Sequence, residues 1–143
     1  MEEVFFSDMN KVQGILNGTS NYILSKMEVE GSSYDEVLKE AQDLGYAEAD
    51  PTADVGGFDA MRKIRILSSL IYNAKINEEE IFTFGIQNVN KSDFDFAKEK
   101  GYSIRLLAKS ELANEKINIS VIPTFIKDNF FAKTFGAVSY THL

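Results

Sequence analysis

Tyr102 to Pro123, YSIRLLAKSELANEKINISVIP, carries the pattern that decides the fold. Tyr102 to Ala108 and Lys116 to Pro123 alternate apolar and polar side chains with the period of two expected of half-buried strands. Asn114-Glu115 between them supplies the turn, so an antiparallel pair is predicted. Upstream the period changes. Lys11 to Leu16, KVQGIL, reads as a short strand that ends at Asn17-Gly18-Thr19, where Thr19 or Ser20 can cap a helix through NYILSKMEV that Gly31 stops. Ser33-Tyr34-Asp35-Glu36 is a capping-box pattern. Tyr34, Val37, Leu38, Ala41 and Leu44 follow at helical spacing, and Gly45 supplies a left-handed cap. Tyr46 to Gly57 reads as a loop, Phe58 to Tyr72 as a long helix, Phe82 to Ile86 as a strand, and Asp93 to Lys100 as a short helix closed by Gly101. Helices that come first and strands that cluster late predict an α+β fold, with helices packed on one face of a mixed or antiparallel sheet.

Composition narrows the function classes. The chain has 143 residues, 44% of them apolar, with 11 Phe and 6 Tyr, enough to bury one core. A net charge of -7 repels phosphate backbones and anionic lipid, so neither nucleic acid nor membrane is an expected partner. With no cysteine and a single histidine, His142, thiolate chemistry and multi-histidine metal sites have no material to work with. No apolar run approaches the roughly 20 residues of a membrane helix, and MEEVFF is acidic where a signal peptide is basic. A cytoplasmic location is expected. Neither G-x-G-x-x-G after a strand nor a P-loop occurs, so a dinucleotide would bind mainly elsewhere.

The run LGYAEADPTADVGGFDAMRK, Leu44 to Lys63, is where chemistry could reside. Its polar loop of about 12 residues is long enough to be functional in a compact domain. On the helix that follows, Ala60, Met61, Ile64, Leu67 and Ile71 form a buried stripe, while Arg62, Arg65 and Ser69 face water. Asp59 and Lys63 continue the line of Ile66 and Leu70, an edge of the apolar face, and at i,i+4 they can touch. A lysine among carboxylates, with Glu48, Asp50 and Asp54 just upstream, can transfer a proton to a polar substrate. The same residues also fit an ordinary helix salt bridge after a solvated acidic loop. A calcium loop is a third reading, although the spacing departs from the EF-hand pattern. The Gly18-Thr19 turn could hold a carboxylate or phosphate, or simply begin a helix.

GILNGTSNYIL, Gly14 to Leu24, followed by EVLKEAQDLGYAEADPTADVGGFDAMRKIRIL, Glu36 to Leu67, closely resembles the catalytic region of homoserine dehydrogenases. Weaker similarity continues through Gly101 to Leu107 and Val121 to Pro123. The family interconverts aspartate 4-semialdehyde and homoserine with NADPH or NADH. The resemblance implies that Lys63 is the proton donor to the aldehyde oxygen. By the same likeness Asp59 and Asp54 hold the substrate hydroxyl and organise Lys63, Glu48 binds the substrate amino group, and Gly18, Thr19 and Tyr46 complete the amino-acid pocket. NADP or NAD would be bound mainly by a Rossmann-type domain that this chain lacks.

The resemblance also implies domain limits and an assembly. Residues 1-137 would form the catalytic, substrate-binding and dimerisation domain. Val138 to Leu143 resembles nothing expected there and reads as foreign or read-through sequence. A homodimer is expected through the sheet, with Tyr102 to Ala108 as an exposed apolar edge. Ser20 replaces a usual second threonine, Gly56 a commoner acidic or polar residue, and Arg105 a frequent lysine away from the site. A stand-alone amino-acid-binding or regulatory module is the alternative reading.

Overall fold

The computed structural model describes residues 3–8 and 10–127. Strand β1, Glu3–Asp8, turns back into β2, Lys11–Ile15, and helices α1, Gly18–Glu30, and α2, Tyr34–Asp43, follow. A single turn of helix, α3, Thr52–Val55, leads into α4, Phe58–Tyr72. After a short 3-10 turn at Glu78–Glu80 come β3, Phe82–Thr83, α5, Lys91–Glu99, and the hairpin β4, Tyr102–Ala113, with β5, Lys116–Lys127. The five strands lie in the order β1-β2-β4-β5-β3, antiparallel throughout except for β3 against β5.

One face of this mixed sheet meets the helices. Val12, Ile104, Leu106, Ala108, Ile119 and Val121 join the apolar core with Ile23 and Leu24 of α1, Val37 of α2 and Ile64 of α4. The ladder pairs Ala108 with Val121 and Ser110 with both Val12 and Ile119, so these side chains share one side of the pleat. Ser68 Oγ on α4 lies 2.7 Å from Ser110 Oγ, satisfying two buried hydroxyls where helix and sheet touch. The predicted α+β architecture, helices on one face of a mixed sheet, is the observed one.

Several local expectations change. Asn17, not Thr19 or Ser20, caps α1, accepting the Ser20 N–H on its side chain. The stretch 46–57 is not all loop, because Thr52–Val55 winds into the turn of α3 after Pro51. The strand predicted from Phe82 to Ile86 stops at Thr83. Phe84 N–H still bonds Val121 O, but Ile86 N–H turns away to Val55 O at 2.8 Å. α5 begins earlier than expected, at Lys91, because Asn90 and Asp93 close a capping box. The hairpin is longer than its alternating core, and Asn114 and Glu115 turn it with φ of 52° and 64°, a pair of positive values that matches strand twist.

Two further expectations concern surfaces. Tyr102 to Ala108 is not an exposed apolar edge, because Ile104, Leu106 and Ala108 are buried in the core, although within this segment only Ala108 pairs with β2 and the rest pairs with β5 alone. On α4 the buried stripe is Ala60, Met61, Ile64 and Ser68, with Leu67 and Ile71 packed against it. Ile66 and Leu70 stand out of the core, 61% and 73% exposed, so the line that starts at the half-buried Asp59 and Lys63 runs out into solvent. The expected tail, 138–143, lies outside the described residues.

Candidate functional site

Three pieces of chain meet at the start of α1. The end of β2 delivers Leu16 and Asn17, α3 delivers Asp54, and the first two turns of α4 deliver Asp59 and Lys63. Gly57, at φ 86°, lets the backbone pivot from α3 into α4. Gly56 has no room for a side chain, since a Cβ there would lie 2.6 Å from Thr52 O. The two glycines therefore fix how closely Asp54 and Asp59 approach.

Asn17 sits at the centre, 5% exposed. Its Nδ2 donates to Asp54 Oδ1 and to Asp59 Oδ2, each at 2.8 Å. Its Oδ1 accepts the Ser20 N–H, also at 2.8 Å, and Ser20 Oγ in turn donates to Asp54 O at 2.8 Å. Lys63 Nζ donates to Leu16 O at 2.9 Å and lies 3.1 Å from Asp59 Oδ2. With side chains 38% and 36% exposed, the Lys63 and Asp59 charges are neither buried nor free in solvent. The ammonium is held in place yet can still be reached, which is what a proton-transfer group requires.

The structure thus brings Lys63, Asp59 and Asp54 into one network. Gly18 is the first residue of α1, beside Asn17. Thr19 Oγ1 donates to Tyr46 O at 3.1 Å, and the Tyr46 ring meets Tyr22 edge-on with centroids 5.2 Å apart. Glu48 is exposed on the neighbouring loop, where Gln42 Nε2 holds its carbonyl at 3.0 Å. Among the described residues its carboxylate makes no hydrogen bond or ion pair to the network. Asp50 is occupied locally. Thr52 donates to it through its hydroxyl and its backbone N–H, which lowers the Asp50 carboxyl below its ordinary value.

Asn17 is the residue that sequence reasoning passes over. Asparagine before glycine signals a turn or cap. Its bonds to Asp54 and Asp59, 37 and 42 residues away, leave no local trace. The Leu16 carbonyl is equally silent. Among the described residues no group of three or more His, Asp and Glu side chains is placed to hold a metal ion. No helix there is long and apolar enough to cross a membrane.

A dinucleotide pyrophosphate does not fit these residues. The one turn that leads from a strand through glycine into a long helix, β2 to α1, has its Ser20 N–H taken by Asn17, and two carboxylates stand beside it. Phosphate there would displace the cap and meet like charge.

A sequence model of the family described as homoserine dehydrogenase matches residues 2–140. The homoserine dehydrogenase of Bacillus subtilis is 46% identical over 130 residues, covering 90% of this chain and 30% of the relative. That of Helicobacter pylori is 47% identical over 116 residues, covering 81% and 28%. Among solved structures, a homoserine dehydrogenase from Thiobacillus denitrificans superposes with a TM-score of 0.86 at 44% identity, over 90% of this chain and 30% of that one. A hyperthermophilic archaeal homoserine dehydrogenase in complex with NADPH superposes with a TM-score of 0.69 at 29% identity, over 90% and 34%. The chain spans about 30% of the length of the curated relatives it matches. With a family match along nearly its whole length and the same fold in the solved relatives, the chain belongs to the homoserine dehydrogenase family.

Proposed function

We propose that residues 1–137 are the substrate-binding, catalytic and dimerisation domain of a homoserine dehydrogenase. The reaction is the interconversion of L-aspartate 4-semialdehyde and L-homoserine with NADP or NAD, a step towards threonine and methionine. The dinucleotide supplies or accepts the hydride and is held mainly outside the described residues. In reduction, the Lys63 ammonium gives a proton to the aldehyde oxygen as that oxygen gains the carbonyl electron pair; in oxidation, neutral Lys63 takes it back. Asp59 and Asp54 hold the substrate hydroxyl and orient Lys63. Glu48 binds the substrate ammonium, and Gly18, Thr19 and Tyr46 close the amino-acid pocket.

The observation that carries this reading is the fixing of Lys63 Nζ between Leu16 O and Asp59, at 2.9 and 3.1 Å. The test is steady-state kinetics of a full-length homoserine dehydrogenase carrying this chain. Lys63→Ala should lower kcat by about 10²-fold or more, as loss of a general acid does. An unchanged kcat with a raised KM would make Lys63 a binding residue. Tight binding of L-homoserine without turnover would make the protein an amino-acid-binding module instead. The chain alone should give no turnover, because hydride transfer needs a nicotinamide held in line with the substrate.

Assembly is a separate part of the proposal. The homodimer would form through the sheet, and a strict monomer by light scattering at high concentration would count against it.

A further inference from the structure

We infer that Asn17 is the positioning residue of this site, setting the separation of the two substrate-holding carboxylates and through Asp59 the place of Lys63. The inference rests on the function proposed above and adds a residue that it does not use. One amide nitrogen serves both acids, donating to Asp54 Oδ1 and Asp59 Oδ2 at 2.8 Å each. An amide NH2 has two hydrogens, and here each is committed to a different carboxylate.

The orientation of that amide is not open. Its Oδ1 holds the Ser20 N–H at 2.8 Å, so a flip would break the cap and aim an oxygen at two carboxylates. The side chain is 5% exposed, which keeps water from substituting for it. Asp54 and Asp59 stand on separate helices, α3 and α4, and two anions brought this close repel. Asn17 supplies donors to both without adding charge. Asp59 Oδ2 is the shared atom, accepting from Asn17 at 2.8 Å while lying 3.1 Å from Lys63 Nζ. Asp54 Oδ2 and Asp59 Oδ1 accept no hydrogen bond among the described residues, so each acid keeps one oxygen for a substrate hydroxyl.

Helix capping alone would make Asn17 replaceable. Asn, Asp and Ser are about equally good N-caps, but only Asn can donate to both acids at once. Asn17→Ser and Asn17→Asp should therefore fold with nearly the parent melting temperature, Ser more closely than Asp because it adds no third carboxylate. In the full-length enzyme kcat should fall by about 10-fold to 10²-fold in Asn17→Ser, the scale of an ångström-sized misplacement. It should fall further in Asn17→Asp. Lys63→Ala is measured beside them. If Lys63→Ala abolishes turnover while both Asn17 variants keep the parent kcat, Asn17 is a helix cap and the inference is wrong. If Lys63→Ala leaves kcat intact, the proposed function fails and takes this inference with it. Should both variants unfold, L-homoserine titration of Asn17→Gln decides: Gln keeps an amide but moves it by a methylene, and unweakened binding would overturn the inference.

Discussion

Arg105 on β4 and Glu28 on α1 are joined by a forked pair, Arg105 Nη1 lying 3.3 Å from Glu28 Oε1 and Nη2 lying 3.2 Å from Oε2. The guanidinium is fully buried, and Nη1 also donates to Ile104 O at 2.7 Å. Planar two-point contact of this kind is beyond a lysine. The arginine thus ties the first helix to the sheet.

Removing Glu28 takes away the carboxylate that faces this buried cation. Glu28→Ala should destabilise the fold by about 2 to 3 kcal/mol, a little below the range for fully enclosed pairs because Glu28 keeps some exposure. Asp43→Ala, which breaks the solvent-exposed pair with Lys39, should change stability by under about 0.5 kcal/mol. Urea denaturation of both variants checks this. Equal losses would mean that burial of the Arg105 pair contributes nothing.

Glu48 gives a kinetic contrast to Lys63. It is exposed, and Gln42 holds its backbone rather than its carboxylate. A group that binds the substrate ammonium in ground and transition state alike affects KM and leaves kcat nearly alone. Glu48→Gln in the full-length enzyme should raise KM for L-homoserine by about tenfold, the effect of losing one charge-assisted bond. A fall in kcat with KM unchanged would place Glu48 in the chemistry instead.

The helices were legible wherever the signal was local. Ser33 with Glu36 marked the start of α2, and Asn114-Glu115 marked the hairpin. The i,i+4 spacing of Asp59 and Lys63 foretold their ion pair. What stayed hidden depends on contacts across the fold. β3 is cut to two residues because Val55 O captures the Ile86 N–H, a competition that no alternating pattern records. The place of β4 in mid-sheet depends on β2, which pairs with it from nearly a hundred residues away. Ile66 and Leu70 break the rule that an apolar stripe lies inward, and only the packing of Ala60, Ile64 and Ser68 shows which side the core takes.

Asp50 should show an acid-side signature. Thr52 holds its carboxyl below the ordinary 3.8, first through the hydroxyl and then through the backbone N–H. A carboxyl depressed in the fold contributes stability that is present above its unfolded value and lost as pH falls through the folded one. Carbon-13 NMR should therefore find the Asp50 titration below 3.8, and Thr52→Val should move it upward. No movement in the variant would mean that the hydroxyl does not reach the carboxylate in solution.

Gly85 tests whether the approach of two loops sets the site. A Cβ there would lie 2.7 Å from Gly56 Cα and press on Val55 O, the acceptor of the Ile86 N–H. Backbone cannot swing aside as a long side chain can, so Gly85→Ala must push residues 55–57 away from residues 84–86. Overpacking at such a point should destabilise by about 3 kcal/mol. Since 55–57 link Asp54 to Asp59, turnover of the full-length enzyme should fall as well. Gly45 and Gly101 supply the control. Both have positive φ, 83° and 80°, but a Cβ on either meets nothing within 4 Å. Their alanine variants should lose only about 1 kcal/mol of stability to backbone strain and keep kcat. Thermal melts with parallel kinetics separate the cases, and a Gly85→Ala protein as stable and active as Gly101→Ala would show that the two loops can part without moving the carboxylates.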